Sequence, residues 1–223
     1  MTAITPAGTV AGTSKGDLAM KITPSTLPGM FRLEPQHLAD RRGRFHEAWR
    51  ADELTQTLGR SFEVRQVNFS VSRRNTLRGI HGTITPPGQA KLVTCVRGAA
   101  LDVVVDMRIG SPTFGQHEVT LQDAGSDVAV YMAEGLGHAF LALTDDVCMN
   151  YLCSTEYVPG TMVDVQALDP ELAIPWNLTA PPVMSDKDAA APTLAEAAAA
   201  GLLPTFAECL ALAETGSPPA GRG

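Results

Sequence analysis

The sequence has few of the features that identify a metalloprotein or a disulfide-rich domain. Its 223 residues contain no CxxC pair and no HxH pair, and only 5% of them are aromatic. No spacing between a histidine and the four cysteines (Cys95, Cys148, Cys153 and Cys209) is typical of zinc. We therefore expect no metal site, a core of Val, Leu, Ile and Ala, and reduced thiols in a cytoplasmic protein.

Signals for membranes, nucleotide cofactors and nucleic acids are also missing. No apolar run approaches the ~20 residues of a membrane-spanning helix, and no signal peptide is expected at the N-terminus. No P-loop or GxGxxG loop follows a strand, so no nucleotide cofactor is expected. The net charge of -7 argues against nucleic-acid binding, because such binding needs a basic face.

Composition divides the chain into three parts. Residues 1–23 are rich in Thr, Ala, Gly and Ser without a sustained period, which predicts a disordered arm. Residues 24–178 carry short apolar runs separated by turn residues, a pattern typical of a β-sandwich or barrel. Residues 179–223 predict a helical extension with a disordered end.

Two helix signals accompany the strands. Asp52 and Glu53 favour the first turn of a short helix over 51–58. Thr193 and Glu196 form a capping-box pattern at the start of an Ala-rich segment. The C-terminal helices are expected to pack on the strand domain.

A histidine and a lysine on neighbouring β segments form the first candidate site. His81 lies in the run LRGIHG, and Lys91 follows ten residues later in QAKLV. Removal of a proton beside a carbonyl requires a base and a fixed cation, because the cation holds the enolate that forms. Such a pair, seen alone, is more often structural or solvated, so this alternative stays open.

Further polar residues interrupt the apolar strands. Gln66 and Asn68 lie two residues apart and should point to the same face of a sheet. Asp102 and Asp106 lie in a strand that should be buried, where a carboxylate needs a partner. The density of such groups favours a lined pocket over a plain core. Asp169 directly precedes a proline, which is also typical of an Asx turn.

Seven sequence runs occur in unbroken order between residues 30 and 178. They are DRRGRFHE at 40–47, RQVNFS at 65–70, LRGIH at 77–81, QAKLV at 89–93, DVVVDMR at 102–108, GSPTFG at 110–115 and DP at 169–170. Together they resemble the signature segments of the dTDP-4-dehydrorhamnose 3,5-epimerases. The resemblance implies an all-β, cupin-like double-stranded β-helix (jelly roll) with short C-terminal helices. It also implies a homodimer that needs no metal or other cofactor.

The resemblance assigns roles to individual residues. His81 is similar to the general base of the family, and Asp169 to the carboxylate that fixes its tautomer. Lys91 is similar to the cation at the enolate oxygen, and Tyr151 to the acid on the opposite face of the sugar. The implied substrate is a dTDP-linked 4-keto-6-deoxyhexose. Residues similar to the family's nucleotide and sugar contacts are Arg42, Phe45, Glu47, Gln66, Asn68, Arg78, His138 and Tyr157.

Two departures from the family pattern bear on the reaction. Gly82 and Thr83 follow the base histidine where the family has an aromatic residue and Gln, and GHAF at 137–140 replaces AHGF. The first departure adjoins the reacting sugar and resembles epimerases of antibiotic deoxysugar pathways, some of which invert one centre. Epimerisation at C3, at C5 or at both carbons therefore stays open.

Two other classes of function are also considered. A sugar-nucleotide-binding protein without catalysis would share the fold, although the presence of base, cation and acid argues against it. A metal-dependent cupin would be expected to carry an HxH pair, which the sequence lacks.

Overall fold

The computed structural model describes residues 20–215, and within this range it contains thirteen strands and four helices. The strands are β1 (Lys21–Pro24), β2 (Met30–Glu34), β3 (Leu38–Asp40), β4 (Gly43–Phe45), β5 (Gln66–Ser72), β6 (Leu77–Thr83), β7 (Lys91–Arg97), β8 (Ala99–Asp106), β9 (His117–Asp123), β10 (Ala129–Met132), β11 (Leu136–Ala142), β12 (Val147–Cys153) and β13 (Met162–Asp164). The helices are α1 (Ala51–Leu58), α2 (Asp186–Ala189), α3 (Leu194–Ala199) and α4 (Phe206–Thr215). The prediction of an all-β fold with short helices is confirmed. In the same range, no helix has the length and apolar character needed to cross a membrane.

Eleven of the strands form two antiparallel sheets. The six-stranded sheet has the order β1-β2-β10-β7-β12-β5, and the five-stranded sheet has the order β13-β6-β11-β8-β9. Except for β1–β2 and β8–β9, neighbouring strands within a sheet are not consecutive in the chain, and the chain passes repeatedly from one sheet to the other, as in a jelly roll. Strands β3 and β4 form a separate hairpin outside both sheets.

The five-stranded sheet is buried on both faces. On one face, Val104 and Phe140 pack against Val93 and Met149 of the six-stranded sheet. The alternate positions of β8 point the other way, and there Val105 belongs to a second apolar cluster. A strand covered on both sides needs apolar residues at successive positions, which explains the nearly continuous apolar run over 99–106.

The C-terminal segment covers the outer face of the five-stranded sheet. Trp176 and Leu194 are buried in the same cluster as the outer residues of β8. Helix α3 begins with the capping box that the sequence predicts: Thr193 Oγ1 accepts a hydrogen bond from the Glu196 backbone at 3.2 Å, and Thr193 N donates to the Glu196 carboxylate at 2.8 Å. The segment predicted as a helical extension thus supplies part of the core. Its last residues, 216–223, lie outside the described range.

The ordered fold begins earlier than the sequence predicts. Strand β1 pairs with β2 from Lys21 opposite Glu34 to Pro24 opposite Phe31, although the predicted disordered arm extends to residue 23. An edge strand receives its hydrogen bonds from the neighbouring strand, so a short segment without a strong apolar period can join an existing sheet. The rest of the predicted arm, residues 1–19, lies outside the described residues.

Gly79 lies where β6 approaches the backbone of β11, and its substitution tests this contact. Its φ is +111°, and a Cβ there would lie 2.5 Å from His138 O and 2.7 Å from Ala139 Cα. We expect Gly79→Ala to lower the free energy of unfolding by more than about 2 kcal/mol, since the crowding adds to the conformational cost. The control is Gly59→Ala, which has a φ of +70° and open surroundings, with an expected loss of about 1 kcal/mol. Equal losses in urea denaturation would contradict the crowding argument.

Candidate active site

A cavity of about 390 Å³ is lined by strands of both sheets, by the loop after β12 and by α2. Eight of the twelve predicted site residues line it, so the fold assembles most of the candidate site in one place. They are Gln66, Asn68, Arg78, His81, Lys91, His138, Tyr151 and Tyr157.

Strand pairing explains why these distant residues meet. Tyr151 lies directly opposite Asn68 in the β12–β5 pair, and His81 lies opposite His138 in the β6–β11 pair. Side chains at opposed positions of neighbouring strands share one face of the sheet. Gln66 also shares this face, as predicted, and its amide donates to Asn68 Oδ1 at 2.9 Å.

His81 makes a hydrogen bond to a carboxylate from α2. Its Nε2 lies 2.8 Å from Asp188 Oδ1 and 3.7 Å from Asp164 Oδ1. Burial lowers the pKa of His81, and the hydrogen bond to Asp188 opposes this effect. An Nε2–H donated to Asp188 leaves Nδ1 as the basic nitrogen of the neutral ring, so this pair is suited to general-base chemistry.

Asp169 does not contact His81, so the prediction that it fixes the tautomer of this histidine is wrong. Its Oδ1 accepts a hydrogen bond from Glu171 N at 3.0 Å, and its Oδ2 accepts one from Leu194 N at 2.8 Å. The first bond is the Asx turn that the following proline also indicated. The second ties this turn to the first residue of α3, which makes Asp169 a structural residue.

Asp188 takes the position that the sequence assigned to Asp169. It lies in the four-residue helix α2, within the segment predicted as an extension, and 107 positions separate it from His81. A helix of four residues is too short to show an apolar period in the sequence, so no such period predicts that α2 packs beside the cavity. The available signal is the capping pattern SDKD, in which Ser185 Oγ accepts a hydrogen bond from Asp188 N at 3.1 Å.

Lys91 is a buried cation at the cavity wall. Its Nζ lies 3.5 Å from the main-chain oxygen of His81, and only 8% of the residue is exposed. Burial lowers the pKa of Lys91. No carboxylate of the described residues lies within 4.0 Å of this ammonium. Since a buried charge is stabilised by an opposite charge, an anionic oxygen of a ligand would complete the site.

Tyr151 lies on the six-stranded sheet, whereas His81 lies on the five-stranded sheet. Its hydroxyl is 3.2 Å from Ser70 Oγ, and its ring packs edge-on against His138 with 5.7 Å between the ring centroids. Burial raises the pKa of Tyr151, so the phenol keeps its proton at neutral pH. Tyr151 therefore places a protonated phenol on the opposite sheet from His81.

The two buried carboxylates of β8 have the partners that the sequence requires. Asp102 Oδ2 lies 2.6 Å from His138 Nε2, which fixes this ring at the cavity wall. Asp106 accepts two hydrogen bonds from the Arg108 guanidinium, at 2.8 Å each.

Arg78 also lines the cavity, and its Nε donates to Ser72 Oγ at 3.0 Å. The cavity thus offers basic groups to an anion, although the whole chain is acidic.

Three predicted ligand contacts are not brought to this cavity. Arg42 and Phe45 are exposed in the hairpin formed by β3 and β4, and Arg42 pairs with Asp40. Glu47 follows the hairpin, and its carboxylate lies 3.8 Å from Arg50. The hairpin belongs to neither large sheet, so these three side chains do not reach the cavity of their own chain.

Two groups of side chains in the described range place three metal-type ligand atoms close together. They are His37, His46 and Asp127 beside the hairpin, and His81, Asp164 and Asp188 in the cavity. In each group a cation already neutralises a carboxylate: Arg44 lies 2.9 Å from Asp127, and Lys187 lies 2.8 Å from Asp164. A metal ion would stand beside a fixed positive charge, so we assign a metal to neither group.

The fold and the cavity define a cupin-like jelly-roll protein in which a hydrogen-bonded His–Asp pair, a buried lysine and a buried tyrosine surround one space. A sequence profile of the dTDP-4-dehydrorhamnose 3,5-epimerases matches residues 24–196. The chain belongs to this family of isomerases, which confirms the resemblance seen in its sequence motifs.

Relatives of two reaction types match the chain. A dTDP-4-dehydro-6-deoxyglucose 3-epimerase from a Streptomyces species is 53% identical over 183 residues, which cover 82% of this chain and 93% of the relative. The dTDP-4-dehydrorhamnose 3,5-epimerase of Mycolicibacterium smegmatis is 48% identical over 190 residues, covering 85% and 94%. The structure of ChmJ, a 3'-monoepimerase from Streptomyces bikiniensis in complex with dTDP-quinovose, is similar with a TM-score of 0.83 and 50% identity, covering 86% of this chain and 97% of that chain.

The different roles of Asp188 and Asp169 can be tested by truncating each to alanine. Asp188→Ala should change the tautomer of His81, observed by 15N NMR of the imidazole, because the acceptor at Nε2 is lost. Asp169→Ala should leave the tautomer unchanged and lower the free energy of unfolding by about 2 kcal/mol, because two backbone amides lose their acceptor. The opposite pattern, with a tautomer change only in Asp169→Ala, would contradict the assignment.

Proposed function

We propose that the protein is a cofactor-independent epimerase that acts on a dTDP-linked 4-keto-6-deoxyhexose. The observation that carries this proposal is one cavity in which the His81–Asp188 pair, the Lys91 ammonium and the Tyr151 phenol surround the same space. Membership of the epimerase family and similarity to a relative in complex with a dTDP-sugar support the substrate class.

His81 is the proposed base in the first step. Its neutral imidazole removes the proton from a carbon next to the C4 ketone, and the C–H electron pair moves to the ketone oxygen to form an enolate. Asp188 stabilises the imidazolium that results. Lys91 stabilises the enolate oxygen, because its buried ammonium has no carboxylate partner among the described residues.

Tyr151 is the proposed acid in the second step. Its phenol donates a proton to the same carbon while the enolate returns to the ketone, and solvent then restores both side chains to their starting states. His81 and Tyr151 project from opposite sheets, so the two groups can act on opposite faces of a sugar held between them. Delivery of the proton to the opposite face inverts the centre.

The remaining cavity residues are proposed to hold the nucleotide. Arg78 and His138 line the space proposed for the diphosphate, and the Arg78 guanidinium fork donates to phosphate oxygens. Gln66 and Asn68 offer amides to the sugar or the base. Tyr157 is 59% exposed, and a ring in that position can stack on a base.

Epimerisation at C3 alone is the second candidate. It is supported by the similarity to the 3-epimerase from Streptomyces and to the monoepimerase ChmJ. The 3,5-epimerase of Mycolicibacterium smegmatis supports inversion at both carbons with comparable identity. Both candidates use the same base, cation and acid.

Proton exchange in deuterium oxide tests the reaction and separates the two candidates. We expect 1H NMR to show deuterium at C3 alone, or at both C3 and C5, of dTDP-4-keto-6-deoxyglucose. His81→Asn should slow this exchange by at least about 10³-fold, because the base is lost, while dTDP binding stays within a few-fold. Tyr151→Phe should still exchange the proton but should form little inverted product. Absence of exchange at both carbons in the native protein would refute the proposed function.

We further propose that the protein is a homodimer in which the hairpin of one chain completes the cavity of the other. The resemblance gives Arg42, Phe45 and Glu47 ligand contacts that their own cavity does not use. Strand β5 is an edge strand beside the cavity, and its residues Val67 and Val71, which do not line the cavity, are 51% and 54% exposed, which suits burial against a second copy.

Mixing of two inactive variants tests the exchange of hairpins between chains. One chain carries His81→Asn and the other carries Arg42→Ala. If Arg42 acts in the partner's cavity, a mixed dimer has one cavity with both defects and one with neither. Random reassortment should therefore restore about one quarter of the native activity. No gain above the unmixed variants, in a sample that native mass spectrometry shows to contain mixed dimers, would refute action in the partner's cavity.

The cytoplasm is the compartment that we propose for this enzyme. All four cysteines are free thiols, and three of them are buried. Reduced, buried thiols are typical of proteins in a reducing compartment.

A further inference from the structure

A second carboxylate lies at the base histidine, and the proposed mechanism leaves it without a role. Asp164 stands directly opposite His81 in the β13–β6 pair, so both side chains share one face of the sheet. Its Oδ1 lies 3.7 Å from His81 Nε2, on the nitrogen that also faces Asp188. The strand register therefore places Asp164 close enough to act on the charge of the ring.

Lys187 forms an ion pair with this second carboxylate. Its Nζ lies 2.8 Å from Asp164 Oδ1, and the lysine also lines the cavity. Lys187 and Asp188 are consecutive in α2, so one short helix supplies a cation to Asp164 and an anion to His81. Acidic and basic side chains alternate in a row of four, in the order Asp188, His81, Asp164, Lys187.

We propose that Asp164 is a positioning residue that shares with Asp188 the stabilisation of the His81 imidazolium, and that Lys187 limits this stabilisation by pairing with Asp164. The inference rests on the proposed function in one respect, namely that His81 gains a proton during turnover. Asp188 makes the shorter contact and fixes the tautomer, whereas Asp164 acts through its charge alone at 3.7 Å.

Asp164 and Lys187 have opposite effects on the pKa of His81. Burial lowers the pKa of His81, the carboxylates of Asp188 and Asp164 raise it, and the Lys187 ammonium lowers it. The other titratable groups near the ring are Lys91, which faces the main-chain oxygen of His81, and His138, which lies opposite it on β11. Neither residue is substituted in the variants below, although the Asp164 carboxylate also raises the pKa of Lys91.

Two single variants should move the pH profile in opposite directions. The base must be unprotonated to act, so kcat/KM rises with pH through the pKa of His81 in the free enzyme. Asp164→Asn removes an anion and should shift this rise to lower pH. Lys187→Met removes a cation and should shift it to higher pH. Each shift should be about half a pH unit, since both groups are partly exposed and screened by solvent.

Direct titration of the ring keeps this inference separate from the proposed function. The 15N NMR titration of His81 in the unliganded protein should move in the same two directions, whether or not the protein turns over the sugar. The double variant Asp164→Asn/Lys187→Met should titrate between the two single variants. The matched control is Asp145→Asn, an exposed carboxylate outside the cavity, which should titrate like the native protein.

Opposite shifts in the two variants support the inference. Unchanged titration in Asp164→Asn, or shifts of the same sign in both variants, would overturn it, even if the protein exchanges C3 or C5 protons normally. Lack of any exchange with opposite NMR shifts would refute the proposed function and leave the electrostatic assignment of Asp164 and Lys187 intact.

Discussion

Burial of the five-stranded sheet on both faces is the constraint on which the site depends. One face packs against the six-stranded sheet, where the two sheets also form the cavity. The other face is apolar as well and needs a cover, which the C-terminal segment provides. This cover carries α2 to the side of β6, so Asp188 reaches His81. A packing requirement thus delivers the carboxylate that forms a hydrogen bond with His81.

Local charge in the cavity differs from the charge of the whole protein. The chain has a net charge of -7, yet Arg78, Lys91, His138 and Lys187 line the cavity. A ligand with a diphosphate meets these groups at close range, where the solvent screens them less than it screens the surface. The acidic composition argues against nucleic acids, while the polar groups on apolar strands indicate where an anion can bind.

Asp169 and Asp188 show why residue type alone does not assign a role. Both are buried aspartates close to a helix in the C-terminal part of the chain. Asp169 is held by an Asx turn, a local interaction that its position before a proline already indicates. Asp188 acts across 107 positions of sequence, and only the packing of α2 on β6 brings it to the ring. A contact between positions so far apart produces no periodic pattern of residues from which it could be predicted.

Local patterns in the sequence determine the β class, the α1 and α3 helices, the shared face of Gln66 and Asn68, and the need for partners at Asp102 and Asp106. These features depend on strand alternation, capping and burial, which act over a few residues. Ordered motifs add the family, and eight of the twelve site residues that the resemblance implies line the cavity. Only the tertiary structure decides which aspartate meets His81, which cation pairs with Asp164, and that the hairpin carrying Arg42 stays outside its own cavity. Strand order and helix docking set these distances, because they join positions that the chain keeps far apart.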